Sequence, residues 1–290
     1  GPAAGPAAGA HYAATTKAPD KLIVVDMGGT SFDVCLLRDG EAVMSSDIQV
    51  ANQPIGVNGV EVLSVGAGGG SIAWIDSGNS LRVGPQSAGS QPGPACYGRG
   101  GEQPAVTDAN LVSGRMAAGA FLGGRRSLDT ELAVTAIENH VAKPLDLSVK
   151  ATAAGIITIV NSNMATAIRA VSIERGIDPR DYVMVAGGGA GGLHAAELAR
   201  MLRISEVLVP SSAGGLCAFG MAVTPVRHDY VRLSHCHSNA DGVGKQIEAV
   251  FEDLIQEGQA QLEGDGFKAD EIRFLRHVEG RYPGQVHNLT

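Results

Sequence analysis

The sequence has 290 residues, of which 44% are hydrophobic and 18% are charged, and its formal net charge is −8. An apolar share of this size excludes a disordered chain, and the negative charge argues against a general binder of nucleic acids or of anionic membranes. The 40 glycines and the low aromatic content of 4% are typical of an α/β protein with many tight turns.

Residues 1–20 are rich in glycine, alanine and proline, and this composition predicts a linker. They lack the basic start and the long apolar core of a secretory signal. No apolar run in the sequence approaches the length of a membrane span. The four cysteines are far apart and form no C-x-x-C pair, so we expect a cytoplasmic protein with reduced thiols.

The stretch around which the chain is organised is Leu22–Val34, which reads LIVVDMGGTSFDV. Its first residues, Leu22–Val25, are apolar and mostly β-branched, which predicts a buried strand. Gly28 and Gly29 then form a turn before a second strand. Because glycine has no Cβ, backbone N–H groups at such a turn can approach a bound anion.

Four polar side chains flank this turn. The hydroxyls of Thr30 and Ser31 can donate hydrogen bonds to phosphate oxygens. The carboxylates of Asp26 and Asp33 need a metal between them and a phosphate, and Mg²⁺ with its water shell fits that role. The alternative is a plain glycine turn with two solvated aspartates, but the full DxGGTSxD pattern after an apolar strand favours a phosphate site.

The later elements follow from apolar periodicity and turn residues. A Gly/Ser-rich cluster, Ser64–Ser71, is either a bulge where two backbones cross or a segment near the nucleotide. A long loop, Gly84–Gly101, is interpreted as functional. The other predicted elements are strands Glu41–Val50, Ser71–Asp76 and Ser80–Val83, helices Thr107–Arg115, Asp129–Val141 and Val149–Arg175, strand Tyr182–Ala186, helix Leu193–Met201, strand Val207–Val209, helix Ala213–Ala222, strand Val226–Leu233, helix Gly242–Leu262 and strand Ile272–Tyr282.

A second glycine turn, Gly187–Gly192, lies between a predicted strand and a predicted helix. A helix N-terminus behind such a turn favours anions. The spacing of GGGAGG does not match the dinucleotide fingerprint G-x-G-x-x-G, and close helix–strand packing is the alternative. His194, just inside the helix, either contacts a phosphate or caps backbone groups, and the sequence leaves both open.

No pattern in the sequence indicates a metal centre built from histidine or cysteine. His235, Cys236 and His237 are neighbours on a predicted strand, where successive side chains point to opposite faces. No second cluster has zinc spacing, and neither a nucleophile elbow nor H-E-x-x-H is present. These patterns argue against a hydrolase that attacks its substrate with metal-activated water.

Taken together, the motifs resemble those of one family. The hairpin Leu22–Val34 is similar to the phosphate-binding hairpins of actin-like ATPases, and more narrowly to the hydantoinase A/5-oxoprolinase family, which includes acetone carboxylase β subunits. Further matching segments are Ser64–Trp74, Leu81–Gly101, Val106–Arg115, Asn163–Tyr182, Val185–Ala195 and Arg281–Gln285.

The resemblance implies an α/β actin-like (ribonuclease H-like) fold, with a mixed sheet and helices, that forms one half of a two-half clamshell. It implies ATP and Mg²⁺ as cofactors. Phosphate would be held by Gly28, Gly29, Thr30 and Ser31, while Asp26 and Asp33 would hold Mg²⁺ through water or orient the attacking group. The adenosine side would be held by Gly187, Gly188, Gly189, Gly191 and Gly192.

The implied activity is ATP-dependent opening of a cyclic amide, such as a hydantoin or 5-oxoproline, through a phosphorylated carbonyl. Two alternatives stay open. One is the β subunit of an ATP-dependent ketone carboxylase, and the other is a non-catalytic actin-like nucleotide-binding module. The sequence does not choose the substrate.

The resemblance also predicts the domain organisation and the partners. Residues 1–20 would link to a preceding N-terminal half, residues 21–235 would form the actin-like domain, and residues 236–290 would begin a C-terminal α+β region. The run 286–290 reads as strand-like with no stop signal. We expect two protein partners: the N-terminal half of the same enzyme, and a B-type hydantoinase subunit or domain. The 290 residues alone would fold, bind ATP weakly, be inactive as an enzyme, and self-associate through an exposed cleft face.

Overall fold

The computed structural model describes residues 1–290 except 17–19, 46–47, 51–52, 56–58, 122 and 286–290. The predicted strand-like run 286–290 therefore lies outside the described residues. The chain divides into two units, Gly1–Thr224 and Pro225–Thr290. This boundary lies eleven residues before the predicted end of the actin-like domain at residue 235.

The first unit contains the strands and six of the helices of the described chain. The strands are β1 (Leu22–Met27), β2 (Phe32–Arg38), β3 (Glu41–Ala42), β4 (Met44–Ser45), β5 (Gln49–Val50), β6 (Gln53–Pro54), β7 (Gly59–Val60), β8 (Leu63–Val65), β9 (Ser71–Ile75), β10 (Leu81–Ser87), β11 (Val183–Gly187) and β12 (Val207–Leu208). The helices are α1 (Gly5–Thr16), α2 (Val106–Val112), α3 (Thr130–Ile137), α4 (Val149–Val171), α5 (Gly191–Leu202) and α6 (Leu216–Val223).

The main sheet has the strand order β12-β11-β1-β2-β3, and β8 also pairs with β2. β1 and β2 form an antiparallel hairpin, whereas β11 runs parallel to β1 on its other side. The sheet is therefore mixed. Its strand order places β11, which begins at Val183, beside the β1–β2 hairpin near the start of the chain. This crossover places the two predicted glycine turns at neighbouring strand ends.

Helices cover both faces of this sheet. They do so because successive side chains of the central strands point to opposite faces and are apolar on both. Ile23, Val25 and Val34 point into a core that includes buried residues of α4 and α5. Val24 and Cys35, on the opposite face, share a smaller core with residues of α1 and α6. The β1–β2 hairpin is thus held between two apolar layers.

The N-terminal segment differs from the predicted linker. Residues 5–16 form α1, and Ala8 and Ala13 on this helix are buried in the core that also contains Val24. Alanine has the highest helix propensity of all residues, and its small side chain lets the helix lie close to the sheet. The glycine and proline content of the segment had pointed to a linker instead.

The central helix α4 passes through the main core. It is capped at Ser148, whose hydroxyl accepts the Ala151 N–H at 3.2 Å, and the chain turns at Gly176. Contrary to the sequence expectation, the helical stretch Val149–Arg175 is long and apolar enough, by length and composition, to span a membrane. Of the 18-residue window in this stretch that meets the criterion, 56% is buried within the protein. A buried core helix passes the same test.

The second unit is built around α7 (Val243–Gly264). Gly258 on this helix is buried and lies against the rings of Tyr230 and Phe274. The predicted strands Val226–Leu233 and Ile272–Tyr282 are not formed as strands in the described residues of this unit, where neither segment has a strand partner.

Candidate functional site

The two predicted carboxylates lie opposite each other at the end of the β1–β2 hairpin. Asp26 and Asp33 are register partners, so their side chains share one face and their Cβ atoms are about 5 Å apart. Both residues are half-buried, with the apolar pairs of the hairpin beneath them. The strand register alone therefore brings two negative charges to one edge of the sheet.

The turn that joins these strands presents its backbone outward. The Gly28 N–H donates to the Ser31 carbonyl oxygen at 3.0 Å, which closes the turn. Gly29 and Thr30 are exposed, and no atom beyond the adjoining residues lies within 4 Å of the position that a Gly29 Cβ would occupy. The turn is therefore accessible from outside at Gly29 and Thr30.

The cluster Ser64–Ser71 lies directly against this turn. The Gly69 N–H donates to the Gly28 carbonyl oxygen at 3.0 Å, and the Gly70 N–H donates to the Gly29 carbonyl oxygen at 2.6 Å. A Cβ on Gly68 would lie 2.5 Å from the Thr30 nitrogen. Two backbones do cross closely here, and the crossing supports the back of the hairpin turn.

The second glycine turn packs against the same hairpin. β11 ends at Gly187, which is the register partner of Asp26. The Ala190 N–H donates to the Met27 carbonyl oxygen at 3.1 Å. Gly188 has a φ of +81°, and a Cβ there would lie 2.2 Å from that same carbonyl oxygen, so only glycine fits. The two glycine turns thus lie side by side.

The helix after this turn starts earlier than the sequence predicted. α5 begins at Gly191, so Gly191 and Gly192 form its first turn, and only Gly188–Ala190 is turn. Gly189 is exposed, and no atom beyond its neighbours lies within 4 Å of the place that a Cβ on this residue would take. The open surface of this segment is therefore near Gly189 and the start of α5.

Two hydrogen-bond donors from outside the hairpin contact the carboxylates, and sequence reasoning missed both contacts. The Cys217 thiol on α6 donates to Asp26 Oδ2 at 3.1 Å. The Ser64 hydroxyl on β8 donates to Asp33 Oδ1, and the Ser31 hydroxyl donates to Asp33 Oδ2 at 3.4 Å. Cys217 is 191 residues from Asp26, and no local pattern encodes that contact.

His194 has neither of the roles considered from the sequence. Its imidazole is fully buried, with Nδ1 2.7 Å from Asn161 Oδ1 and Nε2 3.1 Å from Asn110 Nδ2. Burial, and then the positive charge of Arg115, lowers the pKa of His194 to about 4. The ring is therefore neutral and connects α2, α4 and α5 behind the site.

The predicted loop Gly84–Gly101 starts within β10, which ends at Ser87, and its later part is anchored by one buried carboxylate. Asp108 accepts the backbone N–H groups of Cys96 and Ala105 at 2.8 Å and of Ala95 at 3.2 Å. Burial raises the pKa of Asp108, and the hydrogen bonds oppose that shift. The Ala88 N–H donates to the Gly70 carbonyl oxygen at 2.8 Å, so the segment after β10 lies beside the cluster that contacts the β1–β2 turn.

Within the described residues, no group of three or more His, Cys, Asp or Glu side chains could hold a metal ion. His235 and His237 are exposed. Carboxylate oxygens are the ligands that Mg²⁺ prefers, together with water and phosphate. The pair Asp26 and Asp33 fits a Mg²⁺ ion that keeps its waters and is completed by a nucleotide.

Comparisons with known proteins bear on the family and the fold. A profile of the hydantoinase/oxoprolinase family matches residues 1–230. Caprolactamase subunit alpha from Pseudomonas jessenii is 44% identical over 100% of this chain and 42% of its own length. The crystal structure of ATP-dependent caprolactamase from that organism gives a TM-score of 0.82 at 42% identity, covering 98% of this chain and 41% of that chain. A nucleotide-free acetone carboxylase structure gives 0.78 at 29% identity, covering 99% and 42%.

These matches confirm the predicted fold class and the predicted family. The chain spans about two-fifths of the length of the caprolactamase and acetone carboxylase chains that it matches. Its mixed sheet, with helices on both faces and a glycine hairpin at the strand ends, is an actin-like ATPase fold. The profile match over most of the residues decides the family: this chain belongs to the hydantoinase/oxoprolinase family.

Proposed function

We propose that this chain is an ATP-binding part of an enzyme that opens a cyclic amide by phosphorylating its carbonyl oxygen. The observation that carries the proposal is the meeting of two glycine turns beside a carboxylate pair: Gly187 is the register partner of Asp26, and Asp26 is the register partner of Asp33. The ATP-dependent caprolactamase, which is 42% identical over 98% of this chain, supports the choice of a cyclic amide.

In this proposal, the hairpin and the glycine turn hold different parts of the nucleotide. The N–H group of Gly29 and the hydroxyl of Thr30 donate to phosphate oxygens, while Gly28 and Ser31 close the turn that presents them. The exposed residues Gly189 and Gly192 pack against the adenosine, while Gly187, Gly188 and Gly191 form the turn beneath them. The glycine turns need little rearrangement, because the sheet and the cluster Ser64–Ser71 already hold them.

The reaction itself is phosphoryl transfer followed by hydrolysis. The γ-phosphoryl group moves to the carbonyl oxygen of the ring amide, and ADP is released. One water adds to the activated carbon, the ring C–N bond breaks, and an acyl phosphate remains. A second water releases inorganic phosphate and the carboxylate. The protein contributes positioning and charge stabilisation.

The carboxylates have two tasks in this scheme. Asp26 and Asp33 would hold a hydrated Mg²⁺, which supplies positive charge for the nucleotide phosphates when bound. They would also orient the attacking group by accepting its protons in hydrogen bonds. Other parts of the enzyme, including an N-terminal half and a B-type subunit, would complete the nucleotide-binding cleft and the amide site.

A second candidate is supported by the acetone carboxylase structure, which matches 99% of this chain with a TM-score of 0.78. In that case the phosphoryl acceptor would be an enolate or bicarbonate rather than an amide. The two candidates share the ATP site and differ in the acceptor.

A substrate panel separates these candidates. The intact enzyme is incubated with Mg²⁺-ATP and with caprolactam, hydantoin, 5-oxoproline, or acetone plus bicarbonate, while phosphate release is followed. Stimulation by a cyclic amide, with ring-opened product only when ATP is present, is the expected result. Stimulation by acetone plus bicarbonate alone would favour the carboxylase. No stimulation by any of them would contradict both and favour a non-catalytic nucleotide-binding module.

A further inference from the structure

Each carboxylate of the proposed site is contacted by a neutral donor from a different element. Asp26 Oδ2 accepts the Cys217 thiol of α6 at 3.1 Å, and Asp33 Oδ1 accepts the Ser64 hydroxyl of β8. A free carboxylate rotates about its last side-chain bond, whereas a hydrogen bond to one oxygen selects one orientation. The two donors therefore affect where the remaining oxygens point.

The position of Cys217 is fixed by packing beside it. Leu216, the first residue of α6, is buried in the core on this face of the sheet. A Cβ on Gly187 would lie 2.3 Å from Leu216 Cδ2, so glycine at that position lets α6 approach the end of β11. Because Gly187 is the register partner of Asp26, this approach brings the next residue, Cys217, to the carboxylate.

Cys217 is an uncharged donor. Its thiol contacts Asp26 Oδ2 without placing a positive charge beside the carboxylate. A lysine or arginine in its place would add such a charge and compete with a divalent cation.

The other oxygen of Asp26 faces the second glycine turn. Asp26 Oδ1 lies 2.5 Å from the position that a Cβ on Gly188 would occupy. With Oδ2 held by Cys217, Oδ1 is directed along the edge where the two glycine turns meet. On the other strand, Ser64 is the register partner of Asp33, so its hydroxyl is held beside that carboxylate by the β2–β8 ladder.

We propose that Cys217 and Ser64 are positioning residues that orient Asp26 and Asp33 for the Mg²⁺-nucleotide. This inference rests on the proposed function, and it adds two residues that no motif identifies. Neither residue needs to touch the substrate. Each acts through the carboxylate that it contacts.

The test compares two substitutions at each position in the intact enzyme. Cys217→Ala and Ser64→Ala remove the donor, whereas Cys217→Ser and Ser64→Thr keep one. Because loss of the donor lets the carboxylate leave its productive orientation, kcat should fall by about tenfold, which is about 1.4 kcal/mol in the activation free energy. The concentration of Mg²⁺ needed for half-maximal turnover should rise, while Ser and Thr restore most of the rate. Cys236→Ala, in the second unit, is the matched control and should behave like the unmodified enzyme.

A second readout does not depend on turnover. The S–H stretching band of Cys217, assigned by its loss in Cys217→Ser, should lie at a lower infrared frequency than that of an unbonded thiol. It should move to higher frequency in Asp26→Asn, because a neutral amide oxygen is a weaker acceptor. This measurement needs only folded protein, so it decides the Cys217 contact even if Cys217→Ala is poorly folded.

The outcomes separate this inference from the proposed function. If Asp26→Ala and Asp33→Ala keep near-normal turnover, the proposed site is wrong. If those two variants lose turnover while Cys217→Ala and Ser64→Ala stay within about twofold of the unmodified enzyme and the S–H band does not move, only the positioning inference is overturned. Loss of turnover in the alanine variants, rescue by Ser and Thr, and a shifted band support it.

Discussion

Lowering the pH should destabilise the first unit through one buried imidazole, that of His194. The ring is fully buried and hydrogen-bonds with Asn110 and Asn161, and its pKa is lowered from 6.5 to about 4. In the unfolded chain the same ring takes up a proton near pH 6.5. Between about pH 6.5 and 4 the unfolded state therefore binds more protons, and the free energy of unfolding falls as the pH falls.

The size of the effect follows from the shift in pKa. One pKa unit corresponds to about 1.4 kcal/mol, so the stability contribution that is complete above pH 6.5 should decrease by about 3 kcal/mol by pH 4. The steepest loss should be about 1.4 kcal/mol per pH unit. Carboxylates that titrate in the same range add their own pH dependence, so a variant without the imidazole is needed for comparison.

The assay is urea unfolding as a function of pH for the unmodified chain, for His194→Asn and for His140→Asn, which removes an exposed histidine. The curve for His194→Asn should lack the extra loss below pH 6.5, whereas that for His140→Asn should retain it. The chemical shift of the His194 ring proton gives its pKa directly, even if the variant folds poorly. Titration of His194 near pH 6.5, or identical pH dependence in all three proteins, would refute the reasoning.

Three further predictions concern the site and its supports. Asp33→Ala in the intact enzyme should remove most Mg²⁺-ATP turnover and leave the circular dichroism spectrum unchanged, because Asp33 is half-buried at a strand end. Near-normal turnover would show that Asp33 has no role in the reaction. Asp108→Asn should lower the free energy of unfolding by roughly 1–3 kcal/mol and speed proteolysis within Gly84–Gly101, and unchanged proteolysis would contradict the anchor. Incubation of the intact enzyme with a cyclic amide and Mg²⁺ but no ATP should give no ring-opened product, and turnover without nucleotide would rule out phosphorylation.

The elements that the sequence predicted best are those whose apolar pattern and turn residues agree. The strand Leu22–Val25 and the glycine turn after it are present in the structure. A β-branched run favours a buried strand, and two glycines after it favour a turn. The end of the helical stretch at Gly176 was also predicted, since glycine there adopts a φ of +72°. Local chemistry decides these features.

The features that the sequence did not predict depend on distant packing. α1 forms because small residues such as Ala8 lie close against the sheet, and composition alone resembled a linker. The contact between Cys217 and Asp26 depends on Leu216 fitting over Gly187. In the second unit, the apolar residues of Val226–Leu233 predicted a strand. Val231 in this segment is 88% exposed and has no strand partner among the described residues.

The most direct test of the central claim is a structure of the intact enzyme with Mg²⁺ and a non-hydrolysable ATP analogue. We expect phosphate oxygens within hydrogen-bond distance of the Gly29 N–H group and the Thr30 hydroxyl, and the adenosine against the open surface near Gly189. The metal should reach Asp26 and Asp33 through water. A nucleotide bound elsewhere on the protein, with this hairpin facing only solvent, would contradict the account.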